Sequence, residues 1–371
     1  MARPIYFSAL TFITLSSVVG AWGQGSPSSD QRTLPPDLHF PFHPEQAWAV
    51  EESLLVWRPS EDALDYAVRS TLETESSGSQ SKEVRLKHPD FKWGTGVRLK
   101  LTRYLPSSDP WDIDLIGTYY YSGGHNDVKV KSGSSLSSGS SQDKIESTWE
   151  TAAFGVAPKA RSNVRMNFFN FDLLVGRHYC LTRKIDIHPF IGIRSVLLYQ
   201  DYKASYFSSL DPEVLPLRKT SFKGENSFWG VGPRIGADLS LHLGRHWSLL
   251  STFGGSFFAG RSHVQEKIDG SVIIVASPSS MEEKIKTKDS ILRSNLDASI
   301  GLGWEKWVRN KTVRIAPSLV FEVSEWFAIK RWVDAHSVQS ADIFAPPAVQ
   351  SHRRYSDLGL MGFNINLQID F

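Results

Sequence analysis

The chain has 371 residues, and its 41 Lys and Arg nearly balance its 39 Asp and Glu, so it lacks the basic footprint of a nucleic-acid-binding protein. Its single cysteine, Cys180, excludes an intrachain disulfide and a cysteine-built zinc cluster. Beyond the first residues no run approaches the roughly twenty apolar residues of a membrane helix, although twelve Trp and a mean hydropathy of −0.24 remain compatible with strands that are apolar on one side only.

Residues 1–23 read as an export signal, with Arg3 before a mostly apolar stretch from Ile5 to Val19 and small residues around Ala21 and Gly23. Residues 24–45 form a Ser/Pro-rich irregular lead, and 46–371 read as one domain. Trp48 to Ser70 is expected to be one long interrupted strand; a short helix capped by Ser60 is the alternative. Thr71 to Asp90 is polar and reads as a loop. Thr95 to Arg103 alternates, the Pro106–Pro110 stretch turns, and Trp111 to Tyr121 alternates again. A Ser/Gly-rich loop is expected from Ser122 to Ser147.

The second half repeats this plan. Phe169 to His178 and Ile185 to Arg194 are strands around a short turn at Thr182–Lys184, and Pro189 suggests a bulge or an unpaired position. Lys203 to Glu225 is polar. Pro233 to Leu243 and Trp247 to Ala259 flank a turn at Gly244–His246. His263 to Ser290 reads as a long loop with a helical turn at Met281–Lys286. Leu292 to Glu305 and Val313 to Val323 flank a turn near Asn310, and Arg331 to Arg354 is the last long loop. From Met361 every second residue is apolar: Met361, Phe363, Ile365, Leu367, Ile369 and Phe371 oppose Gly362, Asn364, Asn366, Gln368 and Asp370.

Connections therefore run short, long, short, long. A soluble sheet has no reason to sort its loops this way, whereas a membrane barrel has short turns on one side and long loops on the other. An exposed apolar edge strand at the chain end also argues against a soluble sheet. The expected fold is all-β: a transmembrane antiparallel β-barrel of about 10 strands, with 10–14 allowed, long outer loops and short periplasmic turns.

Leu55-Val56-Trp57, Leu64-Asp65-Tyr66-Ala67, Trp93-Gly94-Thr95-Gly96-Val97-Arg98, Asp109-Pro110-Trp111-Asp112, Ile187-His188-Pro189-Phe190 and Gly230-Val231-Gly232-Pro233-Arg234 occur in that order, before an end that runs from Asp357 to Phe371. Together they resemble the chlamydial-type and Legionella-type major outer-membrane proteins. The resemblance implies a porin-type barrel in the outer membrane and makes Phe371 similar to a terminal assembly signal. Some members are cysteine-rich and cross-linked, which Cys180 alone does not support.

No catalytic, cofactor or metal signature stands out. Gly230-x-Gly232-x-x-x-Gly236 lacks the spacing of a nucleotide loop. His242 and His246 share no helix face. Asp112 and Asp114 are more simply ion-paired wall residues than an acid/base pair, and the Asn310-Lys311-Thr312 sequon falls in a periplasmic turn. Candidate lumen-lining residues are Arg98, Lys100, Asp112, Asp114, Asp172, Asp186, Arg194, Arg234, Asp238, Arg293, Asp297, Arg314 and Glu322, of mixed sign. The expected function is passive diffusion of small hydrophilic solutes and ions; the alternative is a structural or adhesive barrel with a closed or plugged lumen. Expected partners are outer-membrane lipid, the barrel-assembly machinery and small solutes or ions, with no nucleic acid; a homo-oligomer is compatible. No cofactor and no enzymatic reaction are expected.

Overall fold

The computed structural model describes residues 47–371 apart from 75–79, 106–110, 131–141, 150–156, 208–218, 245, 275–276, 309–312 and 339–347. The leader at 1–23, the lead at 24–45 and the turn at Pro106–Asp109 lie outside the described residues. Ten long strands form a closed ring: β1 (Trp48–Glu61), β2 (Gly94–Tyr104), β3 (Trp111–Lys129), β4 (Lys159–Arg177), β5 (Ile185–Phe207), β6 (Lys219–Gly244), β7 (Trp247–Ile274), β8 (Ser277–Trp304), β9 (Val313–Val338) and β10 (Ala348–Asp370). Each pairs antiparallel with the next, and β1 closes the ring by pairing with β10 from Ala49↔Asp370 to Glu61↔Leu358. The Phe371 carbonyl accepts the backbone N–H of Trp48 and of Ala47, and Phe371 donates its own N–H to the Trp48 carbonyl at 2.9 Å.

The alternation of each strand sends one row outward and one inward. Outward rows are apolar, as in Phe169, Phe171, Leu173 and Val175 of β4 and Met361, Phe363, Ile365 and Leu367 of β10. Two aromatic girdles bound these rows. Trp48, Trp111, Tyr179 and Trp247 mark the short-turn end, and Trp93, Tyr121, Tyr199, Trp229 and Tyr355 the other, all of them exposed. Such belts sit where a bilayer meets water.

Several segments expected to be loops are strands. Beyond the second girdle β3 continues to Lys129, β5 to Phe207, β7 to Ile274 and β9 to Val338, and the partner strands rise to meet them. There the outer face meets water, so no apolar row marks the strand and only the hydrogen-bond ladder reveals it. Met281–Lys286 makes no helical turn: it belongs to β8, paired with β7 from Gly270↔Met281 through Gln265↔Lys286.

The first strand is also shorter than expected. β1 ends at Glu61, and two residues on Ala63 adopts φ 60°, a left-handed conformation that departs from the extended backbone of a strand. Ala67–Thr74 then joins a separate three-stranded sheet between Gln80–Lys87 and Gln142–Ser147. The polar stretch after Thr71 is therefore a hairpin, and the Ser/Gly-rich stretch ends in a strand. Pro189 pairs with Ala237 of β6, but it falls where the ladder to β4 is interrupted, between Phe190↔Gly176 and Ile187↔Tyr179, so its missing N–H removes no bond there.

The register allows a sharp test of the two faces. Leu367 is a poor lipid-face probe, because Glu52 lies opposite it and would pair with an introduced cation. Ile365 lies between Leu54 and Leu319, whereas inward Asn366 lies between Ser53 and Ser318. Ile365→Arg is expected to cost about 2–4 kcal/mol and to lower the heat-modifiable folded fraction in membranes well below that of Asn366→Arg. Equal losses would mean that this strand does not have a lipid face and an inner face.

Candidate functional site

The inward rows form strata. At the short-turn end they line a cavity of about 360 Å³, whose walls include Lys100, Asp114, His242, Glu305 and Gln368 and whose apolar side includes Trp57, Phe168 and Trp326. Its charges are paired. Arg98 of β2 reaches past β1 and β10 to Glu322 of β9, with both terminal nitrogens 2.9 Å from the carboxylate oxygens. Lys100 lies 2.9 Å from Asp114, which also accepts the Thr102 hydroxyl. Arg194 makes two bonds of 2.7 Å to Asp172 and one of 3.0 Å to Asp297, and Arg234 makes two of 2.7 Å to Asp297. Arg314 joins Asp370 and Glu305. Two-pronged guanidinium–carboxylate pairs are strong and directional.

Above the cavity the lumen is apolar. Trp57, Tyr120, Phe168, Leu198, Phe228, Phe258 and Trp326 come from different strands, and each is at most 3% exposed. Trp326 stands edge-on to Phe168 at 5.1 Å and stacks on Phe258 at 5.5 Å, and Trp57 packs on Tyr120 at 5.3 Å. Arg98 and Arg194 lie over the Trp57 and Trp326 rings at 5.4 and 5.8 Å, tying the charged floor to the aromatic layer. The indole N–H of Trp57 donates to Asn364 Oδ1 at 2.7 Å.

Higher still, chain from outside the ring enters it. The segment after β1 is held by Tyr202, whose hydroxyl donates to the Leu64 carbonyl at 3.2 Å, by Tyr206 on the Tyr66 carbonyl, and by Ser356 on the Asp62 carbonyl at 2.6 Å. Trp149 stacks on Phe222 at 4.0 Å and meets Trp332 at 6.2 Å. Between these apolar strata the Lys330 ammonium pairs with the Glu61 carboxylate, both side chains fully buried, and Gln200 donates to the same carboxylate at 2.7 Å.

Of the residues singled out from sequence, Arg98, Lys100, Asp112, Asp114, Asp172, Asp186, Arg194, Arg234, Asp238, Asp297, Arg314 and Glu322 line this cavity. Arg293 does not: it lies beside the Tyr355 ring at 5.4 Å and donates to the Leu292 carbonyl, at the level where β9 bulges between Trp326 and Lys330. Asp112 is bound to two histidines, His178 and His188, which the charge-based search omitted. Their signal was present, since both share the inward parity of Asp172 and Asp186. Glu51, Glu305 and Asp370 were omitted as well. Glu61–Lys330 was omitted because the expected strand stopped at Val323; across the bulge the register to β10 shifts by two residues, so Lys330 keeps the inward parity of Ser324 and Trp326.

The family model described as the Legionella pneumophila major outer membrane protein precursor matches residues 41–371. No curated protein sequence matches. Among solved structures, the outer-membrane protease OmpT of Escherichia coli is 11% identical over 90% of this chain and 99% of its own, with a TM-score of 0.40. A FadL homologue of Pseudomonas aeruginosa is 8% identical over 88% of this chain and 90% of its own, with a TM-score of 0.24.

The paired floor predicts a specific fragility. Asp297→Ala removes both 2.7 Å bonds of Arg234, leaving it only Asp172 at 3.8 Å, and one of the bonds of Arg194; it is expected to cost about 3 kcal/mol, the lower end of the range for breaking a buried pair because Asp172 still faces both guanidiniums. Arg234→Met combined with Asp297→Leu should recover most of that loss. Denaturant unfolding followed by tryptophan emission checks both; an unchanged midpoint for Asp297→Ala would show that the pair carries no stability.

Proposed function

The chain belongs to the Legionella pneumophila major outer membrane protein family and resides in the bacterial outer membrane; on that premise we propose that it is a structural, surface-presenting barrel whose lumen is closed to solute. The observation that carries this reading is the aromatic stratum. A passage needs a gap between these rings, yet Trp326 packs on Phe168 and Phe258 with ring centroids 5.1 and 5.5 Å apart and Trp57 packs on Tyr120 at 5.3 Å. The strand number agrees: ten strands stand much nearer the eight whose interior side chains fill than the about 16–18 of porins with an aqueous channel. The cavity is then a periplasmic vestibule, and the long hairpins beyond the outer girdle are what the cell surface presents. Lipid contacts the outward rows, and Phe371, bonded to Trp48 at the closing seam, is the mark for the assembly machinery. No enzymatic step belongs to this reading.

A second reading, passive diffusion of small hydrophilic solutes and ions, is favoured by the vestibule itself, whose charges of both signs suit hydrated solutes. It requires the aromatic stratum to part. Planar-bilayer recording separates the two. The refolded wild type is expected to be silent, and the triple variant Trp57→Ala, Phe168→Ala, Trp326→Ala to conduct. Discrete steps from the wild type would replace the closed reading with the porin.

Orientation is testable on cells. In a Cys180→Ser background, Lys82→Cys in the exposed edge strand of the small sheet should react with an impermeant thiol reagent on intact cells, and Lys184→Cys in a short turn only after permeabilisation. The reverse pattern would invert the barrel.

A further inference from the structure

The interruption in the β4–β5 ladder is occupied. His178, just past the end of β4, stacks on His188 of β5 with ring centroids 4.1 Å apart and planes 13° from parallel. Both rings turn Nε2 toward one carboxylate: Asp112 Oδ2 of β3 lies 2.8 Å from His178 and 3.0 Å from His188. Two imidazole nitrogens and a carboxylate oxygen thus lie within 4.8 Å of one another, at the floor of the vestibule. Asp112 is 1% and His188 6% exposed, so this is an interior arrangement rather than a chance meeting of surface side chains.

Two independent features show that it is built. The first is Gly176, which lies between the two strands and pairs with Asp112 on one side and Phe190 on the other. A Cβ at Gly176 would lie 2.0 Å from His188 Nε2 and 2.9 Å from Asp112 Oδ1, so only glycine lets His188 reach across β4 to the carboxylate. The second is the far side of His188. Its Nδ1 lies 3.1 Å from Asp238 Oδ2, and Asp238 accepts the Thr252 hydroxyl at 2.8 Å. A carboxylate that holds the Nδ1–H of a histidine orients the ring and leaves the Nε2 lone pair for a metal.

We propose that Asp112, His178 and His188 form a binding site for a divalent transition metal of the zinc class, with Asp238 as the positioning residue of His188. Two imidazoles and one carboxylate suit zinc, cobalt or nickel, whereas magnesium and calcium take oxygen ligands. The metal replaces the protons now shared between the imidazoles and the carboxylate. Metal–nitrogen bonds of about 2.0–2.1 Å require the donors to converge, which His178 accomplishes by side-chain rotation beyond the end of β4. Vestibule water completes the coordination. The neighbouring cation, Lys100, is neutralised by Asp114 at 2.9 Å and does not oppose a bound dication. The proposal is independent of whether the aromatic stratum opens, since the site faces the periplasmic side of it.

The test uses the full-length barrel in detergent, titrated with Co²⁺ as the optical probe and Zn²⁺ as competitor. One Co²⁺ per barrel is expected, with visible d–d absorption abolished by zinc. His188→Ala and Asp112→Asn should weaken binding by about 100-fold or more, and Asp238→Asn by about 10–100-fold with unchanged stoichiometry. Gly176→Ala should abolish the bands although it removes no donor atom, and exposed His246→Ala should leave them unchanged. Absence of cobalt bands from the wild type at millimolar metal, or equal affinity in His188→Ala, overturns the site. Should a variant fail to fold, the wild type decides: zinc should protect His178 and His188, and not His246, from diethylpyrocarbonate, and no protection overturns the proposal.

Discussion

Everything in this molecule depends on one constraint: inside a bilayer each backbone N–H and C=O must find its partner within the protein. The β1–β10 seam meets that constraint. Without the ladder from Ala49↔Asp370 to Glu61↔Leu358, two strand edges would face hydrocarbon, each unpaired group costing several kcal/mol. Closure at ten strands then determines the width of the interior, and the width determines what can fill it.

A narrow interior that is half polar creates a second problem, buried charge. The barrel answers with pairing across the lumen as well as along its wall. Arg98–Glu322 and Arg194–Asp297 join strands that are not neighbours, so these pairs brace the ring against flattening. The same guanidiniums lie beneath Trp57 and Trp326, where the ring faces offer negative charge. Charge and apolar packing are therefore stacked in strata rather than mixed. An ion pair within the apolar region, Glu61–Lys330, carries its own amide partner in Gln200.

Beyond the outer girdle the membrane constraint ends, yet the ladders continue. Once the strands are aligned by the embedded part, extending the ladder adds backbone bonds at the cost of each residue's own freedom alone, with no further cost for bringing the strands together. The aromatic packing of Trp149, Phe222 and Trp332 on segments entering from outside the ring gives the extension its own core. Gly224 makes room for it, since a Cβ there would lie 2.3 Å from the Trp332 ring.

The sequence by itself determined the embedded part: which segments span, their order and number, and which parity faces lipid. Lipid imposes a single requirement on every second residue, and rows such as Phe169 to Val175 or Met361 to Ile369 record it locally. Where water replaces lipid, that record stops, which is why the strands through Met281–Lys286 and Arg331 were legible only as loops and why the end of β1 at Glu61 could not be seen. The interior was legible as polarity and not as partnership. That Asp112 meets His178 and His188, that Arg194 reaches Asp297, and that aromatics close the middle are decided by register and curvature. Those are properties of the closed ring, and no single strand contains them.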